Sequence, residues 1–272
     1  MMYYPAALRM TRFVLVSVLI APGAYAQQAF IDILEASPRH QEWVEVEYEG
    51  RIVHAFIVYP EVEHKAKSVV VIHENRGLNI WVRTVADRLA AAGYIAIAPD
   101  LLSGHGPDGG RTSDFASSDA ARDAIYKLVP DAVTADLSAV ASYVAALPAA
   151  NAEVSVAGFC WGGSQSFRFA TNFEGLTEAF VFYGRAPTDD SIEQINAPVH
   201  GFYGGADTRV NATIHETETS MKTAGKTYDP VVYDKAGHGF MRRGVSDGAT
   251  DPDAAAADEA WARWLSLLNT SS

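Results

Sequence analysis

A single cysteine stands in this 272-residue chain, and its surroundings give it a chemistry. Cys160 is the centre of Gly158-Phe159-Cys160-Trp161-Gly162-Gly163, between an apolar run at 153–159 and a helix-like stretch at about 161–171. Strand, tight turn and helix in that order make a nucleophile elbow. The central residue sits on a strained turn, and glycines around it avoid collision with the adjoining strand and helix. Serine is the usual residue at the centre; here it is a thiol. At a helix N-terminus the oriented N–H groups and the positive end of the dipole favour thiolate, so the sequence predicts a thiol of lowered pKa. The competing reading is an inert thiol that packs as a small apolar group.

A nucleophile at such a turn implies an acid after a later strand and a histidine last in chain order. Asp207 follows the strand-like run 199–203 in Gly204-Gly205-Ala206-Asp207, and His238 follows another at 231–233 in Ala236-Gly237-His238-Gly239-Phe240. Asp234, four residues before the histidine, reads as a turn former. His54, His64, His105, His200 and His215 have no comparable context and read as surface or core residues. No His, Cys and Asp spacing suits a metal ion, and no metal or cofactor is expected. The third element is His73-Glu74-Asn75-Arg76-Gly77 at the end of an apolar run. Such a segment supplies one backbone N–H to an oxyanion and the residue after the nucleophile supplies the other, which here means Asn75 and Trp161. Glu74 and Arg76 are then expected to face the pocket; the alternative is an exposed ion pair in a loop.

The elements that must hold these residues are legible as alternating strands and helices. Residues 43–48 and 53–59 alternate apolar and polar, which suggests an antiparallel start to a sheet. Residues 68–73 and 94–98 are continuous apolar runs, as expected of strands buried on both faces. Between them Val82, Val85, Leu89 and Ala92 recur at helical spacing and stop at Gly93. Residues 103–118 are rich in Gly, Ser and Asp and read as a long surface loop. A helical region at about 120–146 is broken near Pro130, further strands are expected at 179–183 and 199–203 and at 230–233, and an amphipathic helix at about 253–268 closes the chain. This alternation predicts an α/β fold with a mostly parallel central sheet and helices on both faces. No repeat or linker divides residues 27–272, so one domain is expected.

Residues 1–26 read differently. Arg9 and Arg12 precede the apolar run Phe13-Val14-Leu15-Val16-Ser17-Val18-Leu19-Ile20, and small residues lead to Ala24-Tyr25-Ala26. That is the pattern of a secretory signal peptide cleaved after Ala26, and the apolar run falls short of the about 20 residues that span a bilayer. The expected destination is the periplasm or the medium, with no membrane attachment beyond the signal. Hydrophobic residues make up 49% and charged residues 20% of a chain with a formal charge of −12. The composition suits a core-forming globule. The negative charge argues against nucleic-acid partners and anionic membrane surfaces, so any anionic ligand needs a local cationic site. A lone cysteine in an exported chain cannot form an internal disulfide.

Taken together, residues 48–268 resemble the dienelactone hydrolase (carboxymethylenebutenolidase) family of the α/β-hydrolase superfamily. The resemblance rests on Glu74, Ala98-Pro99-Asp100-Leu101, the Cys160 elbow, Gly204-Gly205-Ala206-Asp207 and Gly237-His238-Gly239-Phe240. It implies that Cys160, Asp207 and His238 form a catalytic triad, that Glu74 contacts the thiol and controls its ionisation, and that Arg242 binds a substrate carboxylate. It further implies a small ester or lactone, opened through a thioester acyl-enzyme. A broader carboxylesterase and a non-catalytic binding protein on the same fold are the alternatives, and a monomer is favoured. One position departs from the family: where a second carboxylate-binding arginine usually follows the Asp-Leu segment, this chain has Leu102-Ser103-Gly104. Arg76 and Arg111 are the nearest replacements.

Overall fold

The computed structural model describes residues 22–187 and 190–270. The apolar run of the expected signal lies outside them. In chain order the elements are α1 (Pro22–Glu35), β1 (Gln41–Tyr48), β2 (Arg51–Val58), β3 (Ala66–Ile72), α2 (Ile80–Ala91), β4 (Ile95–Pro99), α3 (Ser118–Ile125), α4 (Pro130–Ala145), β5 (Ala150–Phe159), α5 (Trp161–Ala170), β6 (Leu176–Phe182), β7 (Val199–Gly204), α6 (Thr208–Asn211), α7 (Ile214–Thr223), β8 (Tyr228–Tyr233), α8 (Phe240–Arg243) and α9 (Asp251–Thr270).

The strands form one eight-stranded sheet in the order β1-β2-β4-β3-β5-β6-β7-β8. β1 pairs with β2, and β2 with β4, in antiparallel fashion; all later pairings are parallel. The continuous apolar run in β3 is explained by burial on both sides. Val69 and Val71 point into one apolar core with α2 and α9, while Val70 and Ile72 point into a second with α4 and α5. The expected α/β-hydrolase arrangement, helices on both faces of a mostly parallel sheet, is what the chain adopts.

Local differences have local causes. The region around Pro130 divides into two helices, with Pro130 at the first turn of α4, where a missing N–H costs nothing. Residues 103–118 are not a free surface loop. Two short 3-10 turns lie within them, and Asp100, which is buried, accepts from the Thr112 N–H (3.0 Å) and the Thr112 hydroxyl (2.6 Å). The Thr112 hydroxyl oxygen in turn accepts from the Leu78 N–H at 3.1 Å. The loop is thereby fastened to the end of β4 and the start of α2.

Chain order creates a crevice. From β3 the chain goes to β4 on one side and then, through α3 and α4, to β5 on the other. Strands that part in this way leave room beyond their C-terminal ends. Ile72 and Gly158 lie in register, so the residues following β3 and β5 emerge side by side at that point.

Candidate active site

Cys160 occupies the turn between β5 and α5 with φ 57° and ψ −113°, a left-handed conformation that is strained for any residue with a Cβ. Packing holds it there. The Cys160 N–H donates to the Phe182 carbonyl (3.0 Å), and the Cys160 carbonyl accepts from Ser164 N–H (3.3 Å). A methyl on Gly158 would overlap the Gly162 carbonyl, and one on Gly162 would overlap the backbone of Ile72 and His73. These two glycines let strand, turn and helix approach closely enough to make the elbow.

His238 and Asp207 meet the cysteine from the ends of β8 and β7. The His238 Nε2 lies 3.1 Å from Cys160 Sγ, and its Nδ1 lies 2.5 Å from Asp207 Oδ2. Asp207 is buried and also caps α6, its Oδ1 accepting from Val210 N–H at 3.3 Å. The loop carrying His238 is fixed from behind. Gly237 N–H donates to Asp253 Oδ1 (2.7 Å), and Arg243 pairs with Asp253 Oδ2 (2.8 Å). Asp253 reads in the sequence only as the start of a helix; its partners come from a loop that the pattern does not connect to it. Asp234, exposed and paired with Lys235 (3.4 Å), is the turn residue expected.

The backbone N–H groups of Asn75 and Trp161 both point at the Cys160 sulfur. The Asn75 side chain reaches away to the Tyr126 hydroxyl (3.0 Å). His73 secures this segment. Leu101 N–H donates to His73 Nε2 (3.3 Å), so the ring proton is on Nδ1 and donates to the Glu74 carbonyl (2.8 Å). Burial lowers the pKa of this ring, which keeps it neutral and able to serve both partners. Nothing in the sequence marks His73, because Leu101 comes to it across the sheet.

Glu74 is buried and its Oε2 accepts from Arg242 Nε at 2.7 Å. Arg76 turns outward instead, donating to the Ser118 hydroxyl (2.6 Å) and pairing with Asp119 (3.2 Å). Glu74 and Arg76 thus have opposite surroundings, and the expectation that both face the pocket needs correcting for Arg76. Arg111 lies over the ring of Trp43, 4.2 Å from its centroid. Both replacements for the family's second arginine are engaged elsewhere.

The thiol also departs from expectation. Burial first, and the Glu74 carboxylate second, push the Cys160 pKa up; the two N–H groups and Arg209 pull it down without prevailing. The helix terminus predicted the reverse. A sequence cannot reveal that a buried carboxylate faces the same sulfur. A neutral thiol beside a histidine that can accept its proton, with two N–H donors waiting, can attack an acyl carbon and hold the resulting oxyanion. Among the described residues no group of three or more His, Cys, Asp and Glu side chains is placed to hold a metal.

The sheet, the elbow after β5 and the histidine after β8 define an α/β-hydrolase. Residues 53–272 match the model of the dienelactone hydrolase family, and the chain belongs to that family. It is a hydrolase of carboxylic ester and lactone bonds. A Salmonella typhimurium protein named, by inference, a carboxymethylenebutenolidase is 32% identical over 230 residues, covering 80% of this chain and 82% of the relative. A Bradyrhizobium protein named, again by inference, a 2-oxo-3-(5-oxofuran-2-ylidene)propanoate lactonase is 26% identical over 211 residues, covering 73% and 83%. Among solved structures, a Klebsiella pneumoniae protein assigned by inference as a dienelactone hydrolase matches with a TM-score of 0.75 at 25% identity, covering 85% of this chain and 99% of that one.

Proposed function

We propose that this protein is an exported thiol hydrolase that opens a small lactone or ester bearing a carboxylate, through a thioester on Cys160. The observation that carries the reading is the unbroken relay from Cys160 Sγ to His238 Nε2 (3.1 Å) and from His238 Nδ1 to Asp207 (2.5 Å). In the forward step the sulfur attacks the acyl carbon and its proton passes to His238 Nε2. The oxyanion sits between the N–H groups of Asn75 and Trp161, and the tetrahedral adduct collapses as His238 returns the proton to the leaving alkoxide. Water then attacks the thioester with His238 as base, releasing the acid and restoring the thiol. The test is intact-mass spectrometry during turnover. An acyl adduct localised to Cys160 is expected; turnover with no adduct on that residue, or ligand binding without turnover, would sink the proposal.

Arg242 is the support for a carboxylated substrate. Its side chain is 42% exposed while Glu74, its partner, is 9% exposed, so an anion entering from solvent meets the arginine. Guanidinium can hold a carboxylate at two points even on an acidic protein. The pair also suits an oxidising compartment, because a protonated thiol resists oxidation better than a thiolate. Glu74→Gln removes the negative charge that helps hold the thiol pKa up, so the thiolate fraction at pH 7 must rise. The expected result is iodoacetamide alkylation about tenfold faster at pH 7, one pKa unit being a factor of ten, with slower hydrolysis of a carboxylated lactone. An unchanged alkylation-versus-pH curve would refute the role given to Glu74.

Export is supported by Arg9, Arg12, the apolar run and Ala24-Tyr25-Ala26. Cleavage after Ala26 would leave residues 27–35 of α1, which carry the buried Phe30 and Leu34. N-terminal sequencing of the protein recovered from outside the cytoplasm should begin at Gln27; an intact N-terminus in the cytoplasmic fraction would count against it.

A further inference from the structure

Arg76 turns outward, and the mechanism above gives it no part. Its contacts gain meaning from the segment it belongs to. β3 ends at Ile72, and the oxyanion donor Asn75 lies beyond that end. Neither Asn75 nor Arg76 makes a backbone–backbone hydrogen bond to another described residue. Yet an oxyanion hole works only when its donors are fixed before the charge develops. The opposite donor, Trp161, is the first residue of α5 and has that helix behind it. For the Asn75 N–H the fixing must come from side chains.

Two side chains supply it, and both end on α3. Asn75 Nδ2 donates to the Tyr126 hydroxyl at 3.0 Å, directly after the last residue of the helix. Arg76 donates to the Ser118 hydroxyl (2.6 Å) and pairs with Asp119 (3.2 Å), both in the first turn. Successive residues thus reach opposite ends of one helix, about 12 Å apart at about 1.5 Å per residue. Attachment at two separated points restrains the orientation of the segment as well as its distance from the helix. α3 in turn rests on the other donor residue. Ala121 and Ile125 are buried with Leu102, and the Trp161 indole packs against this cluster. The same indole stacks on the His73 ring, with centroids 5.6 Å apart. One helix therefore meets both residues whose N–H groups form the hole.

We propose that α3 is a positioning element of the oxyanion hole, with Arg76 and Tyr126 as positioning residues. The inference rests on the reading of the Asn75 and Trp161 N–H groups as the oxyanion donors. Stapling residues 75–76 to a helix seated on Trp161 sets the separation of the two N–H groups before a substrate arrives. The staples act through the donors and not on the substrate, so their loss is felt in the transition state rather than in binding. Either staple alone still holds the segment, and the two act as a unit.

The test measures kcat and KM separately for Tyr126→Phe, Arg76→Met and the double variant on an uncharged ester, phenyl acetate. Each single change is expected to lower kcat about threefold to fivefold, and the double change about a hundredfold, near the cost of losing one oxyanion donor outright. KM should stay within about twofold, since the oxyanion does not exist in the ground state. Inhibition by a trifluoromethyl ketone, whose thiol adduct carries the same oxyanion, should weaken in parallel with kcat. Alkylation of Cys160 by iodoacetamide forms no oxyanion and should change less than about threefold, half a pKa unit of thiolate. Arg76→Lys keeps a cation for Asp119 and a donor for Ser118, and should recover most of the rate lost in Arg76→Met. Both staples are exposed, so the melting temperature should fall by no more than about 4 °C. A double variant no slower than the product of the two singles would mean two unrelated surface contacts and overturn the proposal. Alkylation and kcat falling equally, with a much lower melting temperature, would mean a merely structural role and overturn it too. A parent protein that the ketone does not inhibit, or whose turnover survives Cys160→Ala, would overturn the thiol reading itself and this inference with it.

Discussion

Cys160→Ala is expected to lower kcat on esters and lactones by about 10⁴-fold or more and to remove the acyl adduct from the mass spectrum. The size follows from nucleophile deletions in enzymes where nucleophile and base act as one unit, with residual rate from binding and oxyanion donors. The fold should not obscure the result. Cysteine and alanine bear similar strain at φ 57°, and the backbone bonds from Cys160 to Phe182 and Ser164 do not involve the side chain. Thermal unfolding of the variant should therefore match the parent within a few degrees. Full activity in a folded alanine variant would remove Cys160 from the chemistry.

Asp207→Asn is expected to cost about 10⁴-fold in kcat near neutral pH, the scale seen when a triad aspartate is made neutral. With the carboxylate, His238 carries its proton on Nδ1 and offers a bare Nε2 to the thiol across 3.1 Å. An asparagine amide can donate to Nδ1, which moves the ring proton to Nε2 and leaves no acceptor for the thiol proton. The same variant keeps an oxygen for the Val210 N–H, so the cap of α6 survives. Activity can be compared with parent protein by pre-steady-state kinetics on a chromogenic ester. A loss of less than tenfold would mean that Asp207 does not set the tautomer.

Cys160, Asp207 and His238 are legible in the sequence without a fold. Gly158-Phe159-Cys160-Trp161-Gly162-Gly163 is local information: the glycines that the turn requires are neighbours in sequence, so the pattern and the geometry are one fact. Asp207 and His238 follow from chain order, since a parallel sheet brings the ends of successive strands to one edge. The apolar runs of β3 and β4 announced burial on both faces for the same reason. By contrast α6 and α8 span only four residues each, too short for a helical period to register. In α7 only Thr217 and Met221 are buried, so no apolar stripe betrays it.

The order of strands and helices, the elbow and the identities of the residues that meet there are written in the local pattern of the chain. The electrical state of those residues is set by the folded arrangement around them. The helix N-terminus argues for a thiolate, yet burial and Glu74 hold the Cys160 proton in place. Arg76, next but one to Glu74 in sequence, pairs with Asp119 on another element, while Arg242 arrives from the far end of the chain. Asp253 behind the histidine loop and His73 under the oxyanion segment belong to the same category. The physical reason is range. Backbone conformation and apolar period are set within a few residues, whereas a pKa or an ion pair depends on charge and solvent within several ångströms in space, wherever in the chain those neighbours originate.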